Sequence, residues 1–186
     1  MTIIAQLTCD DVLDTAYEWL CRRRRDYSAN ADVWSLRRRW SHEKGVIKHD
    51  LRSGRYRFSL LSRVTLRNDE ELDLWSARDA LVLKALALVL SKHLPLSRRC
   101  THLKGHGGAK YAVREVRDHL PANRFVLKTD VKSYYASVDH LVLLGQLALH
   151  IKDWRVLNLL SQYLRRTSER GVRSGTMRKA SRWVAR

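Results

Sequence analysis

The sequence predicts a helix-rich fold of the α/β or α+β class, with a small antiparallel hairpin and one further strand. Apolar residues recur at helical spacing over most of the chain. Two short β-rich segments flank a polar turn, as in a hairpin. A third apolar run, residues 125–127, has the length and composition of a buried strand. The order of helices, hairpin, helices and then strand followed by helix is compatible with both classes.

Two arginine-rich helices are predicted near the N-terminus. In residues 10–25 the apolar side chains have helical spacing, and an arginine run falls in the last turn, where cations favour the helix dipole. Residues 32–51 form the second helix, which Gly54 ends. Its polar positions include Arg37 and Arg38. Such a face is either simply solvated or, with tryptophans between the arginines, suited to base stacking and phosphate contact.

A hairpin and a buried helix are predicted next. Residues 56–66 and 72–75 have strand patterns, and the polar segment 67–70 joins them as a turn. Ser76 is expected to cap a helix that continues to about residue 93. Because this helix is apolar on nearly every face, we expect it to be buried in the core.

A glycine-rich basic loop, residues 104–110, precedes the last third of the chain. Glycines allow a backbone to approach phosphates closely, and Lys104 and Lys110 flank them. The loop lacks the Gly-Lys-Ser/Thr ending of a Walker A loop, so a flexible connector and a nucleic-acid contact both remain open. Further helices are predicted at 111–120, 138–152 and 154–168.

The charge of the chain indicates its partner. Lysine and arginine total 36 against 19 acidic residues, which gives a formal net charge of +17. A polyanion binds such a surface because each neutralised phosphate releases counterions. Nucleic acid is therefore favoured over an anionic membrane surface, and no membrane association is expected.

The cysteines and the hydropathy predict a cytoplasmic protein. Cys9, Cys21 and Cys100 form no C-x-x-C pair and suggest no disulfide framework, so reduced thiols are expected. The most apolar segment, residues 80–90, contains Lys84 and is too short to span a bilayer.

The segment 124–140 contains a candidate ligand for a divalent metal ion. Its apolar run ends at Asp130, which two tyrosines and then Asp139 follow. A carboxylate at the end of a strand is a suitable ligand for a hard divalent cation such as Mg²⁺, which can hold the oxygens of a phosphoryl group in transfer. In a chain this basic, the pattern suggests polymerase chemistry.

Residues 130–140, which read DVKSYYASVDH, resemble the first palm motif of bacterial reverse transcriptases related to group II introns and retrons. The pair Arg78-Asp79 is similar to the Asp-Arg pair at the start of a fingers helix in that family, in reversed order. The basic loop at 104–110 lies where those enzymes carry a Gly-Phe-Arg-type loop. Together the resemblance covers roughly residues 55–168.

The resemblance implies the fingers and a partial palm of a right-hand polymerase. It divides the chain into a basic helical N-terminal region, a fingers-like region, a partial palm with the first catalytic motif, and a basic tail. These correspond to residues 1–54, 55–123, 124–168 and 169–186.

The resemblance also implies residue roles. Asp130 is the catalytic and metal-binding aspartate, and the backbone carbonyl of Val131 is a second ligand of the two-ion Mg²⁺ site. Tyr135 packs under the incoming sugar and excludes a 2′-hydroxyl, and Arg78 contacts the nucleotide. Asp139 caps the following helix. The implied partners are an RNA template, a DNA primer and deoxynucleoside triphosphates. Nucleic-acid contacts are assigned to Lys104, Lys110, Arg37 and Arg38.

The chain departs from the family after this motif. A two-metal palm needs further carboxylates, which the family takes from an Asp-Asp hairpin, whereas the only Asp-Asp here is Asp10-Asp11. We therefore expect this chain alone to be inactive. Residues 171–186 contain no acid and either form a disordered basic tail or arise from a frameshift. If the codons of these residues are read in a frame displaced back by one base, they can encode the segment that follows next in the family. In that frame the codons of Trp183 and Val184 necessarily encode a glycine.

Two functions are compatible with the sequence. One is a reverse transcriptase fragment, and the other is a noncatalytic RNA-binding module whose basic helices and tail bind structured RNA. A helix-turn-helix DNA-binding protein is disfavoured, because the arginine-rich helices lack a recognition-helix pattern.

Overall fold

The computed structural model describes residues 1–65, 71–103 and 105–166. They belong to two units, one of Met1–His93 with the chain from Tyr135 onward, the other of Leu94–Tyr134. In chain order the elements are α1 (Ile3–Leu7), α2 (Asp10–Arg23), α3 (Asp32–Arg38), α4 (Trp40–Ser53), β1 (Ser62–Thr65), β2 (Glu71–Leu74), α5 (Ala77–Leu90), α6 (Gly108–His119) with a 3-10 turn (Leu120–Ala122), α7 (Tyr134–Ser137), α8 (His140–His150) and α9 (Trp154–Leu164). This helix-rich arrangement with a two-stranded antiparallel sheet confirms the α+β class.

Helix α5 is the central element of the first unit. It packs against α1, α2 and α3, and its buried positions lie on more than one face. The Ser76 hydroxyl accepts a hydrogen bond from the Asp79 backbone N–H at 3.1 Å, which satisfies one of the N–H groups left open at a helix start. The predicted cap and the predicted burial of this helix are both confirmed. Its buried residues are Ala77, Asp79, Leu81, Val82, Ala85, Leu86, Val89 and Leu90.

The predicted helix 32–51 forms two helices, α3 and α4, separated at Arg39. The break allows Trp40 to begin a new helix directly beside α2. Its ring stacks on Tyr17 with the centroids 4.3 Å apart, and its indole N–H donates to the Asp14 carboxylate at 3.2 Å. Gly54 ends α4 in the left-handed conformation, at φ 72°, as the sequence predicted. Helix α1 was not predicted, since five residues are too few for a periodic signal.

The predicted hairpin is confirmed, with a shorter first strand. Strands β1 and β2 pair antiparallel, with Val64 opposite Leu72. Arg63 of β1 forms an ion pair with Asp73 across the ladder, its Nε lying 2.8 Å from the carboxylate. The predicted turn, residues 67–70, lies outside the described residues.

The prediction of a buried strand at residues 125–127 is wrong. These residues form no regular structure, and Phe125, Val126 and Leu127 are 89%, 69% and 88% exposed. The only sheet in the described part of the chain is that of β1 and β2. A β-rich run becomes a strand only where a neighbouring strand accepts its backbone hydrogen bonds, so local composition was insufficient here.

None of the described helices is long and apolar enough to cross a bilayer.

A buried carboxylate joins α5 to the segment before the hairpin. Asp79 is 2% exposed and accepts a hydrogen bond from the Tyr56 hydroxyl at 2.7 Å. Its other oxygen accepts from the Ser59 backbone N–H at 3.0 Å and from the Ser59 hydroxyl. Both oxygens are therefore satisfied by a segment twenty or more residues distant in the chain.

Replacing Asp79 by alanine is expected to lower the free energy of unfolding by about 3 kcal/mol, because the buried Tyr56 hydroxyl and the two Ser59 donors lose their acceptor. Urea unfolding followed by circular dichroism measures this. The control is Asp26→Ala, which removes an exposed surface pair with Arg25 and is expected to cost less than about 0.5 kcal/mol. Equal losses in the two variants would contradict the assigned role of Asp79.

Candidate functional site

The motif aspartate lies in an exposed segment without regular structure. Asp130 is exposed, and Val131 is 59% exposed. The backbone then turns at Ser133, whose φ of 52° lies in the left-handed region, and enters α7 at Tyr134. Left-handed conformations are uncommon outside glycine, so this turn is a specific local feature of the motif.

The second motif aspartate caps a helix, as predicted. One Asp139 oxygen accepts hydrogen bonds from the backbone N–H groups of Leu141 at 2.8 Å and Val142 at 3.1 Å. The cap begins α8, and its charge is favourable at the positive end of the helix dipole. Asp139 therefore has a structural role in the described chain.

The motif residues do not all belong to one unit. Asp130 belongs to the Leu94–Tyr134 unit, and Tyr135 belongs to the other. The Tyr135 ring is 49% exposed. Within the described residues, no group of three or more histidine, cysteine, aspartate or glutamate side chains is placed to hold a metal ion. The donors assigned by sequence, one carboxylate and one backbone carbonyl, do not fit a two-ion Mg²⁺ site by themselves.

Arg78 contacts other residues of its own unit. Its Nη2 donates to the Asp50 carboxylate at 3.0 Å, and its guanidinium lies 5.5 Å from the centroid of the Tyr56 ring. Its Nε is buried and has no hydrogen-bond partner among the described residues. These contacts describe a side chain that supports the Asp79 network, and the nucleotide contact assigned to Arg78 stays a prediction.

The basic residues singled out by sequence are exposed where they are described. Arg37 and Arg38 end α3, and the Arg37 guanidinium lies over the Trp34 ring at 4.8 Å from its centroid. Lys110 is exposed in the first turn of α6, within the other unit. Lys104 and the tail from 169 to 186 lie outside the described residues. In the adjoining loop Gly105, Gly107 and Gly108 all have positive φ.

One face of α4 forms an open basic groove, which the sequence-based predictions missed. The groove has a volume of about 520 Å³. The positions that line it follow the i, i+3, i+4 spacing of a single helix face, opposite the buried Leu51. This spacing is the signal that could have identified it. The groove residues are Gly45, Lys48, His49, Arg52 and Ser53.

Further cations and an aromatic ring border the groove. The Arg55 Nη2 approaches His49 Nε2 at 2.5 Å, and Arg57 donates to the Gly54 carbonyl at 3.1 Å. The Trp154 ring lies directly against Gly54, where a side chain would come within 2.4 Å of it. A glycine is thus required at this position by the positive φ and by the close approach of the ring.

A lysine–aspartate network anchors α4 to α2 on the side of the groove. Lys44 lies 2.8 Å from Asp10 and also 2.8 Å from Asp14, while Lys48 lies 2.9 Å from Asp10. Hydrogen bonds from Lys44 and then Lys48 lower the pKa of Asp10 to about 2. The pKa of Lys44 is raised, chiefly by its hydrogen bond to Asp10.

The Asp10 network predicts an acid-dependent stability. Because the folded pKa of Asp10 is below its unfolded value, its contribution is present above about pH 4 and is lost as the pH falls toward about 2. The difference in urea midpoint between the wild type and Asp10→Asn is therefore expected to shrink over this interval. Asp10→Glu, which retains a carboxylate, is the control and is expected to keep the acid dependence. A difference that does not change with pH would contradict the assignment.

No protein-family model matches this chain, and none of the curated proteins matches its sequence.

Proposed function

We propose that this chain is part of an RNA-directed DNA polymerase of the bacterial reverse transcriptase type, comprising the fingers and the first section of the palm. The observation that carries the proposal is the uninterrupted run DVKSYYASVDH at residues 130–140. In this run, the carboxylate, the two aromatic rings and the second aspartate occur in the order and at the spacing that the motif requires.

Several local features support the proposal. The second aspartate of the run, Asp139, caps a helix. The turn at Ser133 leads directly into the tyrosine pair. Asp79, beside the arginine of the proposed fingers motif, joins that helix to the segment before the hairpin. A basic chain with a net charge of +17 also suits a primer–template duplex.

Each proposed role has a physical reason. Asp130 and the Val131 carbonyl provide oxygen donors of the type that Mg²⁺ prefers. In such enzymes Mg²⁺ neutralises charge on the transferred phosphoryl group. The Tyr135 ring, five residues after Asp130, excludes a 2′-hydroxyl by occupying its space. Further carboxylates must complete the site, so residues 1–186 alone are proposed to be inactive.

Primer extension tests the polymerase proposal. Purified 1–186, given a DNA primer on an RNA template with deoxynucleoside triphosphates and Mg²⁺, is expected to yield no product, because its motif holds a single metal-binding aspartate. Fusing residues 1–168 to the polypeptide encoded in the displaced frame is expected to restore synthesis. In that fusion Asp130→Asn is expected to abolish it.

The matched control for this assay is Asp118→Asn, which changes an exposed aspartate of α6 that pairs with its neighbour Arg117. It is expected to leave extension unchanged. Mg²⁺-dependent synthesis by 1–186 itself would contradict the proposed inactivity. If the displaced frame does not encode an Asp-Asp pair, the frameshift hypothesis is wrong. If the fusion protein still synthesises DNA after Asp130→Asn, the catalytic role of Asp130 is wrong.

The second candidate is a noncatalytic RNA-binding module, which the exposed arginines at the end of α3 favour. Arg38 and Arg39 are exposed beside Arg37, and Trp34 lies under the Arg37 guanidinium. Aromatic rings interleaved with arginines suit base stacking and phosphate contact.

RNA binding tests the second candidate. The chain is expected to bind a structured RNA with an affinity that falls steeply with salt, and Arg37→Ala with Arg38→Ala is expected to reduce the logarithmic salt slope by about 1 to 2. Fluorescence anisotropy over a salt series measures this. Asp130→Ala is the control, and a binding-only module retains its affinity in this variant. A salt-independent affinity, or one lost on Asp130→Ala, would contradict the second candidate.

A further inference from the structure

We infer that the groove on α4, together with Trp154, binds a short segment of single-stranded nucleic acid. In this arrangement the phosphates lie along His49, Arg52 and Arg55, and one unpaired base stacks on the Trp154 ring. The inference rests on the nucleic-acid-binding part of the proposed function and names a surface for it. It does not depend on Asp130 or on any polymerase activity.

The shape of the groove comes from its glycine and from the buried side of the helix. Ile47 and Leu51 fix α4 to the core on its inner face, with 0% and 1% of their surfaces exposed. On the outer face, apart from the adjoining backbone of α4 itself, no atom of the described residues lies within 4 Å of the place where a side chain of Gly45 would begin. The groove therefore remains open at a rigid helix, which is suited to an extended chain of phosphates.

The cations at the groove outnumber the acids available to neutralise them. Within the described ranges Arg52, Arg55 and Arg57 take part in no salt bridge. The nearby carboxylates each have a cationic partner already. Asp10 pairs with Lys44 and Lys48, Asp50 with Arg78, and Asp153 with Arg155. An incoming phosphate thus meets guanidinium groups that have no competing carboxylate.

The hydrogen bonds of Arg52 hold it in a suitable position. Its Nε donates to the buried Thr8 hydroxyl at 3.0 Å, and its backbone carbonyl accepts from Arg155 Nη1 at 2.9 Å. The guanidinium is thus tethered at one nitrogen. No recorded hydrogen bond between described residues involves its terminal nitrogens, so both can donate to a phosphate.

Trp154 supplies an aromatic surface next to these cations. Its ring is packed against Gly54, one residue beyond the groove residue Ser53, yet the residue is 62% exposed. No ring stacking or cation–π contact of Trp154 is recorded among the described residues. A large exposed ring held on one side is a platform for a base, and stacking of this type accepts any base.

The combination of unpaired guanidinium groups and an exposed aromatic ring indicates single-stranded nucleic acid as the ligand. A small anion needs the guanidinium groups but no ring, whereas a duplex hides the base faces that a ring can stack on. A strand with unpaired bases uses both features at once. RNA and DNA share this chemistry, and the test below distinguishes them.

The test places a charge in the groove without disturbing the helix. Gly45→Glu and Gly45→Gln differ only in charge, and both favour the helix over glycine at an interior position. Anisotropy of labelled oligouridine and oligodeoxythymidine, each about ten nucleotides long, measures affinity for the full chain. We expect Gly45→Glu to weaken binding at least about fivefold relative to Gly45→Gln, because it repels phosphate. A stronger effect on one of the two strands identifies the preferred nucleic acid.

The ring is tested in the same assay. Trp154→Ala is expected to weaken binding at least about fivefold, whereas Trp154→Phe, which retains a ring, is expected to retain most of the affinity. Urea midpoints of all variants verify folding. Equal affinities of Gly45→Glu and Gly45→Gln would overturn the groove, and wild-type affinity in Trp154→Ala would overturn the stacking.

One further variant separates this inference from the proposed function. If Arg38→Glu weakens binding and Gly45→Glu does not, the chain binds nucleic acid through α3 and the groove assignment is wrong. A wild-type chain that binds neither strand nor a structured RNA would overturn the groove and the RNA-binding candidate together. Loss of binding in Asp130→Ala, with Gly45→Glu unaffected, would instead place the contact at the motif segment.

Discussion

The buried carboxylate of Asp79 is the constraint on which the first unit depends. A carboxylate 2% exposed must have its lone pairs satisfied, and the Tyr56 hydroxyl, the Ser59 backbone N–H and the Ser59 hydroxyl satisfy them. The same residue contributes its backbone N–H to the Ser76 cap, so Asp79 links the start of α5 to the segment before the hairpin. Burial, followed by the negative charge of Asp79, raises the pKa of Tyr56 well above its usual range, which keeps its hydroxyl a donor.

Aromatic rings extend this arrangement toward the C-terminal helix. Tyr56 packs edge-on against Phe58, Phe58 against Trp75, and Trp75 stacks on Tyr163 of α9. Gln162 joins the same elements, because its amide accepts from the Phe58 N–H and donates to the Tyr56 carbonyl. With α9 held in this way, its first residue reaches the end of α4. The aromatic surface at the basic groove is thus a consequence of core packing.

The distribution of charge explains why the surface of this unit is basic. The acids at its helix ends are engaged with cations or with backbone N–H groups, as in the pairs of Asp50 with Arg78 and Asp153 with Arg155. Arginines such as Arg38 and Arg52 are left facing solvent. The motif segment around Asp130 differs from this packed unit, since no described residue between 94 and 134 is buried. A two-ion metal site at Asp130 would therefore need neighbours that supply both packing and further carboxylates.

Features that depend on local patterns could be predicted from the sequence. These include the buried helix capped by Ser76, the hairpin, the end of α4 at Gly54 and the cap at Asp139, each set by helical spacing, strand alternation or a capping side chain. Which residues meet across the chain became visible only in the folded protein. Contacts between distant segments determine the partners of Asp79, the position of Trp154 beside Gly54 and the exposure of residues 125–127. Such contacts cannot be predicted from a local sequence pattern.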